Sequence, residues 1–297
     1  MLQEFDMTDL GRMRYFLGIE VLQQTDGIFL GQKKFAQEIL DRFGMAGCNS
    51  VRNPIVPGSN LVKDTHGIPV DSTNYKQIVG NLMYLTNTRP DIMFVVSLLS
   101  RFMARPTELH SQAAKRVLRY VKGTLDFGVF YREGGDYELV AYTDSDYAGD
   151  LEDRKSTSSY LFLSSYGAVS WSSRKQPIIT LSTTEAEFVA AASCVCEAVW
   201  LRRMLETLHH DQQDSTVMFC DNSSTIKLSK NPVMHGQSKH IDVHYHFLRD
   251  LTGDGVVEMI YCHTQEQLAD IMTKPLRLAN YEKLCALMGV CQEPRII

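Results

Sequence analysis

The order of segments in the second half of this 297-residue chain restricts the possible folds more than any other feature of the sequence. Three consecutive strands with tight turns are predicted there, and strands then alternate with helices in the order β-β-β-α-β-α-α-β-α. Strands joined by tight turns pair antiparallel, whereas strands joined through a helix can pair parallel. The order therefore predicts an α/β fold in which a mixed sheet carries helices on its faces.

The predicted elements of this half have bounds set by apolar periodicity and by turn residues. The strands are Glu138–Thr143, Ser159–Ser164, Ala168–Ser173, Thr216–Cys220 and Val256–Tyr261. The helices are Ser182–Leu208, Ser223–Ser229, Ile241–Leu251 and Gln265–Met272.

The first half is predicted to be mostly helical, with a small β-hairpin near its start. The hairpin strands are Tyr15–Val21 and Ile28–Gly31, and a long loop rich in Gly, Pro, Asn and Ser spans Met45–Asp71. The predicted helices are Lys33–Phe43, Tyr75–Leu85, Asp91–Met103 and Thr107–Lys122. The polar stretch 133–136 reads EGGD and predicts a boundary, which divides the chain into domains at 1–135 and 136–278 and a C-terminal tail at 279–297.

Composition narrows the setting of the protein without identifying a function. With 44% apolar residues the chain can bury ordinary cores, and no apolar run is long enough to span a membrane. No secretory signal is expected, because the N-terminus carries acids and lacks an apolar region. Seven cysteines without a C-x-x-C pair predict reduced thiols in a cytoplasmic or nuclear protein that is not secreted.

Four acids of the second half stand where strands end or within helices. Asp144 and Asp221 end predicted strands, while Glu187 and Asp270 lie in predicted helices. Carboxylates that converge at one edge of a sheet can bind two hard divalent cations, which can then promote phosphoryl transfer. Each acid also has a structural interpretation, such as a turn cap for Asp144, a helix N-cap for Asp221 or an exposed helix acid for Asp270.

The long helix begins with a capping box, in which Ser182 is the N-cap and Glu185 is the third helical residue. Glu185 therefore has a structural role, and Glu187 is the better metal-ligand candidate. His240 and His244 have the helical spacing of a zinc site, but no cysteine pair supports one. A helix with surface or partly buried histidines is the favoured interpretation.

Basic residues of the helix Thr107–Lys122 form a candidate nucleic-acid surface. Lys115, Arg119 and Lys122 fall on one stripe, and Arg116 lies beside it. The stripe could follow a phosphate backbone. A solvated helix face explains the same pattern equally well, and a net charge of −5 is not typical of nucleic-acid-binding proteins.

Several sequence blocks closely resemble copia-type retrotransposon Pol polyproteins. The blocks that resemble the RNase H region of this family are, in order, YTDSDYAGDLEDRKSTSSYLFL, VSWSSRKQPIITLSTTEAEFVAAA, FCDNSSTIKLSKNP, KHIDVHYHFLRD and EQLADIMTKPL. Those that resemble its reverse-transcriptase thumb and connection are EFDMTDLGRMRYFLGIEV and YKQIVGNLMYLTNTRPDIMFVVSLLSRFMARPTELHSQAAKRVLRYVKGT. The resemblance covers residues 4 to about 276, nearly the whole chain.

The resemblance implies an RNase H-like mixed five-stranded sheet, with Asp144, Glu187, Asp221 and Asp270 as catalytic residues that bind two Mg²⁺ ions, or Mn²⁺. It implies cleavage of the RNA strand of an RNA–DNA hybrid to leave 3′-hydroxyl and 5′-phosphate ends. Asn222 is a candidate nucleic-acid contact, although Ser223 replaces the family's usual glutamine. His263 stands where the family usually has proline, and it is a candidate for product release.

The same resemblance sets the limits of the expected activity. The Tyr-Val-Asp-Asp strand of the family's polymerase site is absent, so no polymerisation is expected from this chain alone. The expected partners are a hybrid and the upstream polymerase part of a reverse transcriptase, in a cytoplasmic virus-like particle or the nucleus, and no membrane. The alternative to an active nuclease is an inert remnant, or a non-catalytic nucleic-acid-binding module, from a decayed element.

Overall fold

The computed structural model describes residues 11–59, 61–134, 137–164, 167–230 and 239–294, and the side chains of 239–245 lie outside that description. The strands are β1 Tyr15–Phe16, β2 Ile19–Gln24, β3 Gly27–Gly31, β4 Phe127–Arg132, β5 Val140–Ser145, β6 Thr157–Ser164, β7 Gly167–Lys175, β8 Thr216–Cys220, β9 Val257–Tyr261 and β10 Val290–Gln292. The α-helices are α1 Lys33–Arg42, α2 Ser72–Leu85, α3 Met93–Ser100, α4 Glu108–Gly123, α5 Thr183–Thr207, α6 Ser223–Lys230, α7 Lys239–Gly253 and α8 Leu278–Leu287.

The sheet of the second half confirms the predicted mixed five-stranded, RNase H-like arrangement. Its strand order is β7-β6-β5-β8-β9. The first three strands pair antiparallel, and β8 and β9 join parallel to β5. The connections agree with this pairing, since only two residues separate β6 from β7 and helices link β7 to β8 and β8 to β9. The connection from β5 to β6 is the longer segment 146–156, and not the predicted tight turn.

The two faces of this sheet are covered by different parts of the chain. Successive strand residues point to opposite faces, so Phe162 packs with Phe188 of α5, whereas its neighbour Leu161 belongs to the cluster that contains the first half's helices. Trp171 of β7 also packs on that second cluster, and its Nε1 donates a hydrogen bond to the Thr86 carbonyl at 3.1 Å. The two halves therefore share one hydrophobic core.

The predicted hairpin is the middle of a larger sheet. β2 and β3 pair antiparallel as expected, and the complete antiparallel sheet has the order β1-β2-β3-β4-β10. Neither β4 nor β10 was predicted from the sequence, because each pairs with residues far away in the chain. Gly27 allows the turn, since its φ is +154° and a Cβ there would collide with the carbonyl of Tyr131.

The C-terminal residues predicted as a tail contain regular structure. β10 pairs with β4, and Tyr281 of α8 donates a hydrogen bond to the carbonyl oxygen of Asp91 at 3.0 Å. Asp91 forms a buried ion pair with Arg89, whose Nη2 lies 2.8 Å from Asp91 Oδ2. This segment therefore packs on the first half, while the domain division at 135 and 278 stays a prediction.

None of the described helices is long and apolar enough to cross a membrane.

Candidate metal centre

Two neighbouring parallel strands bring the first pair of acids together. Asp144 is the fifth residue of β5, and Asp221 directly follows β8. Because β5 and β8 run parallel, their carboxyl ends meet at one edge of the sheet. α5 packs on β5 and adds Glu187 from its second turn. One carboxylate oxygen from each of the three acids lies within 4.8 Å of the other two.

Asp270 reaches the same centre from a 3-10 helix, Leu268–Met272. The sequence predicted one helix over Gln265–Met272, but the structure has two 3-10 turns separated by the extended backbone of Gln267. Thr273, which follows the second turn, donates a hydrogen bond to Asp144 Oδ2. This turn therefore holds Asp270 next to Asp144, beside the three-acid cluster.

The acids repel one another in an environment that excludes water. Glu187 and Asp270 are buried, with exposed fractions of 6% and 7%. Burial and the carboxylates of Asp144 and Asp221 raise the pKa of Glu187 above its ordinary value. Burial and Asp144 likewise raise the pKa of Asp270. A nearby cation would stabilise the charged form of both groups.

The positively charged side chain of Lys274 already faces this cluster. Lys274 Nζ lies 2.8 Å from Asp270 Oδ1. Burial lowers the pKa of Lys274, but Asp144 and Asp270 outweigh this effect and raise its pKa. Lys274 was not predicted from the sequence, although its spacing of four residues from Asp270 is a usual signal of an ion pair.

The donor set fits hard divalent cations such as Mg²⁺ or Mn²⁺. Such cations prefer oxygen ligands, and every candidate ligand here is a carboxylate. Glu187 Oε1 accepts a hydrogen bond from the Ser145 backbone N–H at 3.2 Å. Glu187 Oε2 is also buried but receives no hydrogen bond from the residues that the structure describes, which leaves it available to a cation.

The capping box at the start of α5 separates the roles of its two glutamates. The Glu185 backbone N–H donates to Ser182 Oγ at 3.2 Å, as predicted. The Glu185 carboxylate accepts from the backbone N–H of Leu181 at 2.6 Å, one residue before the N-cap. Glu185 thus stabilises the helix start, and Glu187 is the acid that joins the cluster.

Two further candidate residues lie beside the acids. Asn222 Oδ1 accepts a hydrogen bond from the Thr225 backbone N–H at 3.0 Å, so Asn222, and not Asp221, caps α6. Asp221 Oδ2 instead accepts from Thr264 Oγ1 at 2.9 Å. His263 is exposed and contacts the Tyr261 ring at a centroid distance of 5.5 Å. The nucleic-acid role of Asn222 and the product-release role of His263 stay predictions.

The basic stripe on α4 is partly engaged by the chain itself. Arg119 Nε donates to the Asn49 carbonyl at 2.7 Å, and Arg116 Nη2 donates to Asn53 Oδ1. Lys115 is exposed and Lys122 is half-buried. The two arginines therefore hold the long loop against α4, which leaves the lysines as the better candidates for phosphate contacts.

The histidines are the alternative candidates for a metal site. His235, together with the side chains of His240 and His244, lies outside the described residues, and His246 is exposed. Within the part of the chain that the structure describes, the three-acid cluster is the group found with metal-ligand spacing.

Comparison with solved structures finds RNase H proteins. One is LC11-RNase H1, solved in complex with an RNA/DNA hybrid, which shares 11% identity over 46% of this chain and 94% of its own, with a TM-score of 0.35. Another is an RNase H domain from Mycobacterium tuberculosis, with 10% identity, 51% and 98% coverage and a TM-score of 0.35.

Comparison of sequences gives a clearer result. Residues 1–57 match the family described as reverse transcriptase (RNA-dependent DNA polymerase). Retrovirus-related Pol polyproteins from transposon RE1 of Arabidopsis thaliana and from transposon TNT 1-94 of Nicotiana tabacum are each 38% identical, over 98% and 97% of this chain. The chain spans 20% and 22% of their lengths. Over nearly its whole length the chain is therefore homologous to a segment of the Pol polyproteins of copia-type retrotransposons.

Proposed function

We propose that this chain is an RNase H-type endoribonuclease that hydrolyses the RNA strand of RNA–DNA hybrids. The observation that carries the proposal is the convergence of Asp144, Glu187 and Asp221 within 4.8 Å, with Asp270 held beside Asp144. These four carboxylates would hold two Mg²⁺ ions, or Mn²⁺. When bound, such ions lower the pKa of the attacking water and stabilise the charge that develops on the phosphate.

The protein's own groups would orient this chemistry. Ser145 N–H and Thr264 Oγ1 fix Glu187 and Asp221, and Thr273 Oγ1 fixes Asp144, so the ligands are oriented before a cation binds. Discrimination of RNA from DNA would depend on the 2′-hydroxyl of the cleaved strand.

The partners follow from the same proposal. The substrate is a hybrid, and the polymerase part of a reverse transcriptase would supply the synthesis that this chain is not expected to perform. The setting we propose is a cytoplasmic virus-like particle or the nucleus.

A cleavage assay with the full chain tests the function. A hybrid labelled on its RNA strand should be cut in Mg²⁺ to products with 5′-phosphate ends, while duplex DNA should remain intact. Asp144→Asn should abolish cleavage, because the most central of the four ligands is lost. Asp126→Asn, purified in parallel, is the control for a charge change in the first half.

Two outcomes would contradict this assignment. Undiminished cleavage by Asp144→Asn would place the active site elsewhere or reveal a contaminating nuclease. Binding of the hybrid without cleavage, in either Mg²⁺ or Mn²⁺, would favour the non-catalytic nucleic-acid-binding module instead.

A further inference from the structure

Two buried glutamines, Gln176 and Gln267, flank the strand that carries Asp144. Their exposed fractions are 3% and 1%. We propose that they are positioning residues, which set the distances between Asp144 and the acids on the two neighbouring elements. The proposal rests on the metal centre proposed above and adds residues that do not themselves bind the cations.

Gln176 connects β5 to α5. Its Nε2 donates to Ser145 Oγ at 3.3 Å and to the Ala186 carbonyl at 3.0 Å. It also lies 2.8 Å from Ser158 Oγ on β6. Ser145 directly follows Asp144 and Ala186 directly precedes Glu187. One amide group therefore links the residue after Asp144 to the residue before Glu187.

Gln267 makes the equivalent connection on the other side. Its Nε2 donates to the Thr143 carbonyl at 3.0 Å, and its Oε1 accepts from the Ala269 backbone N–H at 3.2 Å. Thr143 directly precedes Asp144 and Ala269 directly precedes Asp270. Both neighbours of Asp144 are thus held by buried amides. One amide links Ser145 to the residue before Glu187, and the other links Thr143 to the residue before Asp270.

The orientation of both amides follows from their partners. The carbonyls of Ala186 and Thr143 can only accept hydrogen bonds, and the Ala269 N–H can only donate, so each Nε2 must face its carbonyl. A carboxylate would leave these carbonyls without a donor, and a shorter amide would not span the same gap. Glutamine thus suits position 267 at both ends of its amide, whereas at position 176 the Nε2 group makes the connection and Oε1 is buried without a hydrogen bond from the described residues.

Binding of Mn²⁺ to the full chain tests the proposal without requiring cleavage. Gln176→Met and Gln267→Met keep the side-chain length but remove the hydrogen bonds. Partners that orient metal ligands typically contribute about 10- to 100-fold to metal affinity, so each variant should bind Mn²⁺ at least about tenfold more weakly.

Gln32→Met is the matched control. Gln32 is equally buried, with an exposed fraction of 2%, and its Oε1 accepts a hydrogen bond from Thr88 Oγ1 at 2.9 Å in the first half. Its replacement should lower thermal stability in the same way but change Mn²⁺ affinity by less than about twofold, since none of its partners adjoins a metal ligand. If Gln176→Met fails to fold, Ser158→Ala removes one of its hydrogen bonds and should weaken Mn²⁺ binding in the same direction.

The outcomes separate this inference from the proposed function. Weaker Mn²⁺ binding by Gln176→Met and Gln267→Met, together with wild-type binding by Gln32→Met, supports the positioning role, even if the wild-type chain cleaves no hybrid. Wild-type affinity in both variants overturns the positioning role, even if the chain is an active nuclease. An equal loss in all three variants also overturns it, and absence of Mn²⁺ binding by the wild-type chain overturns both proposals.

Discussion

The two glutamates at the start of α5 allow the proposed separation of metal binding from helix capping to be tested. Glu187→Gln keeps the shape of the side chain and the acceptor for the Ser145 N–H, but removes the negative charge. Burial and its acidic neighbours already raise the pKa of Glu187, so the metal-free protein loses little when the charge is removed. The free energy of unfolding in EDTA should change by less than about 1 kcal/mol, the net value of one neutral hydrogen bond.

Cleavage should respond in the opposite way. Residues that merely orient a metal ligand are worth about 10- to 100-fold, so loss of a ligand should lower the single-turnover rate by more than about 100-fold. Glu185→Ala removes the carboxylate that accepts the Leu181 N–H. As a disrupted cap, it should cost about 0.5–2 kcal/mol, which lowers the melting temperature by about 1–4 °C in a chain of this size, and it should leave measurable activity.

The assay pairs thermal melting, with and without Mg²⁺, with single-turnover cleavage of a labelled hybrid. Mg²⁺ should raise the melting temperature of Glu185→Ala as it does for the wild type, and should raise that of Glu187→Gln less. The reasoning would be refuted if Glu185→Ala lost activity at wild-type stability while Glu187→Gln had a lower melting temperature but still cleaved at the wild-type rate.

Three further results are expected. In EDTA the melting temperature should fall as the pH rises from about 5 to about 8, because the raised pKa of Glu187 makes the folded state bind the proton more tightly than the unfolded state does. Mg²⁺ or Glu187→Gln should reduce this fall. A melting temperature that rises with pH would contradict the prediction. If the α4 stripe contacts phosphates, changing Lys115, Arg119 and Lys122 to Ala should reduce the slope of log K for hybrid binding against log salt concentration by about two to three. Changing only the two lysines should retain most of this effect. An unchanged slope would show that the stripe is an ordinary solvated helix face. The fragment 138–276 should melt less cooperatively than the full chain, because it lacks the helices that cover one face of its sheet; equal cooperativity would show that this cover is dispensable.

The sequence located the elements that position the acids because they depend on local signals. The predicted and observed bounds of β8 agree, and the capping box at Ser182 marks the start of α5 correctly. The 3-10 turns that carry Asp270 were predicted as one helix, because apolar periodicity does not register the extended backbone at Gln267. The predicted first-half sheet lacked β10, because this strand has only three residues and its pairing with β4 joins residues more than 150 positions apart.

The sequence of β6 indicates that both of its faces are covered, but it does not show which elements cover them. Tyr160 to Leu163 form an uninterrupted apolar run in β6, and a strand with apolar residues on both faces must be covered on both. α5 covers the face of Phe162, whereas the opposite face contacts residues from the first half and from the C-terminal segment. Which elements supply that cover is a tertiary property, since the backbone N–H of Ala168 on the adjacent strand donates a hydrogen bond to the carbonyl oxygen of Met288, after α8. The same packing that buries Leu161 brings the turn with Asp270 against β5 and β6, so the fourth acid is positioned by the shared core as well as by its own segment.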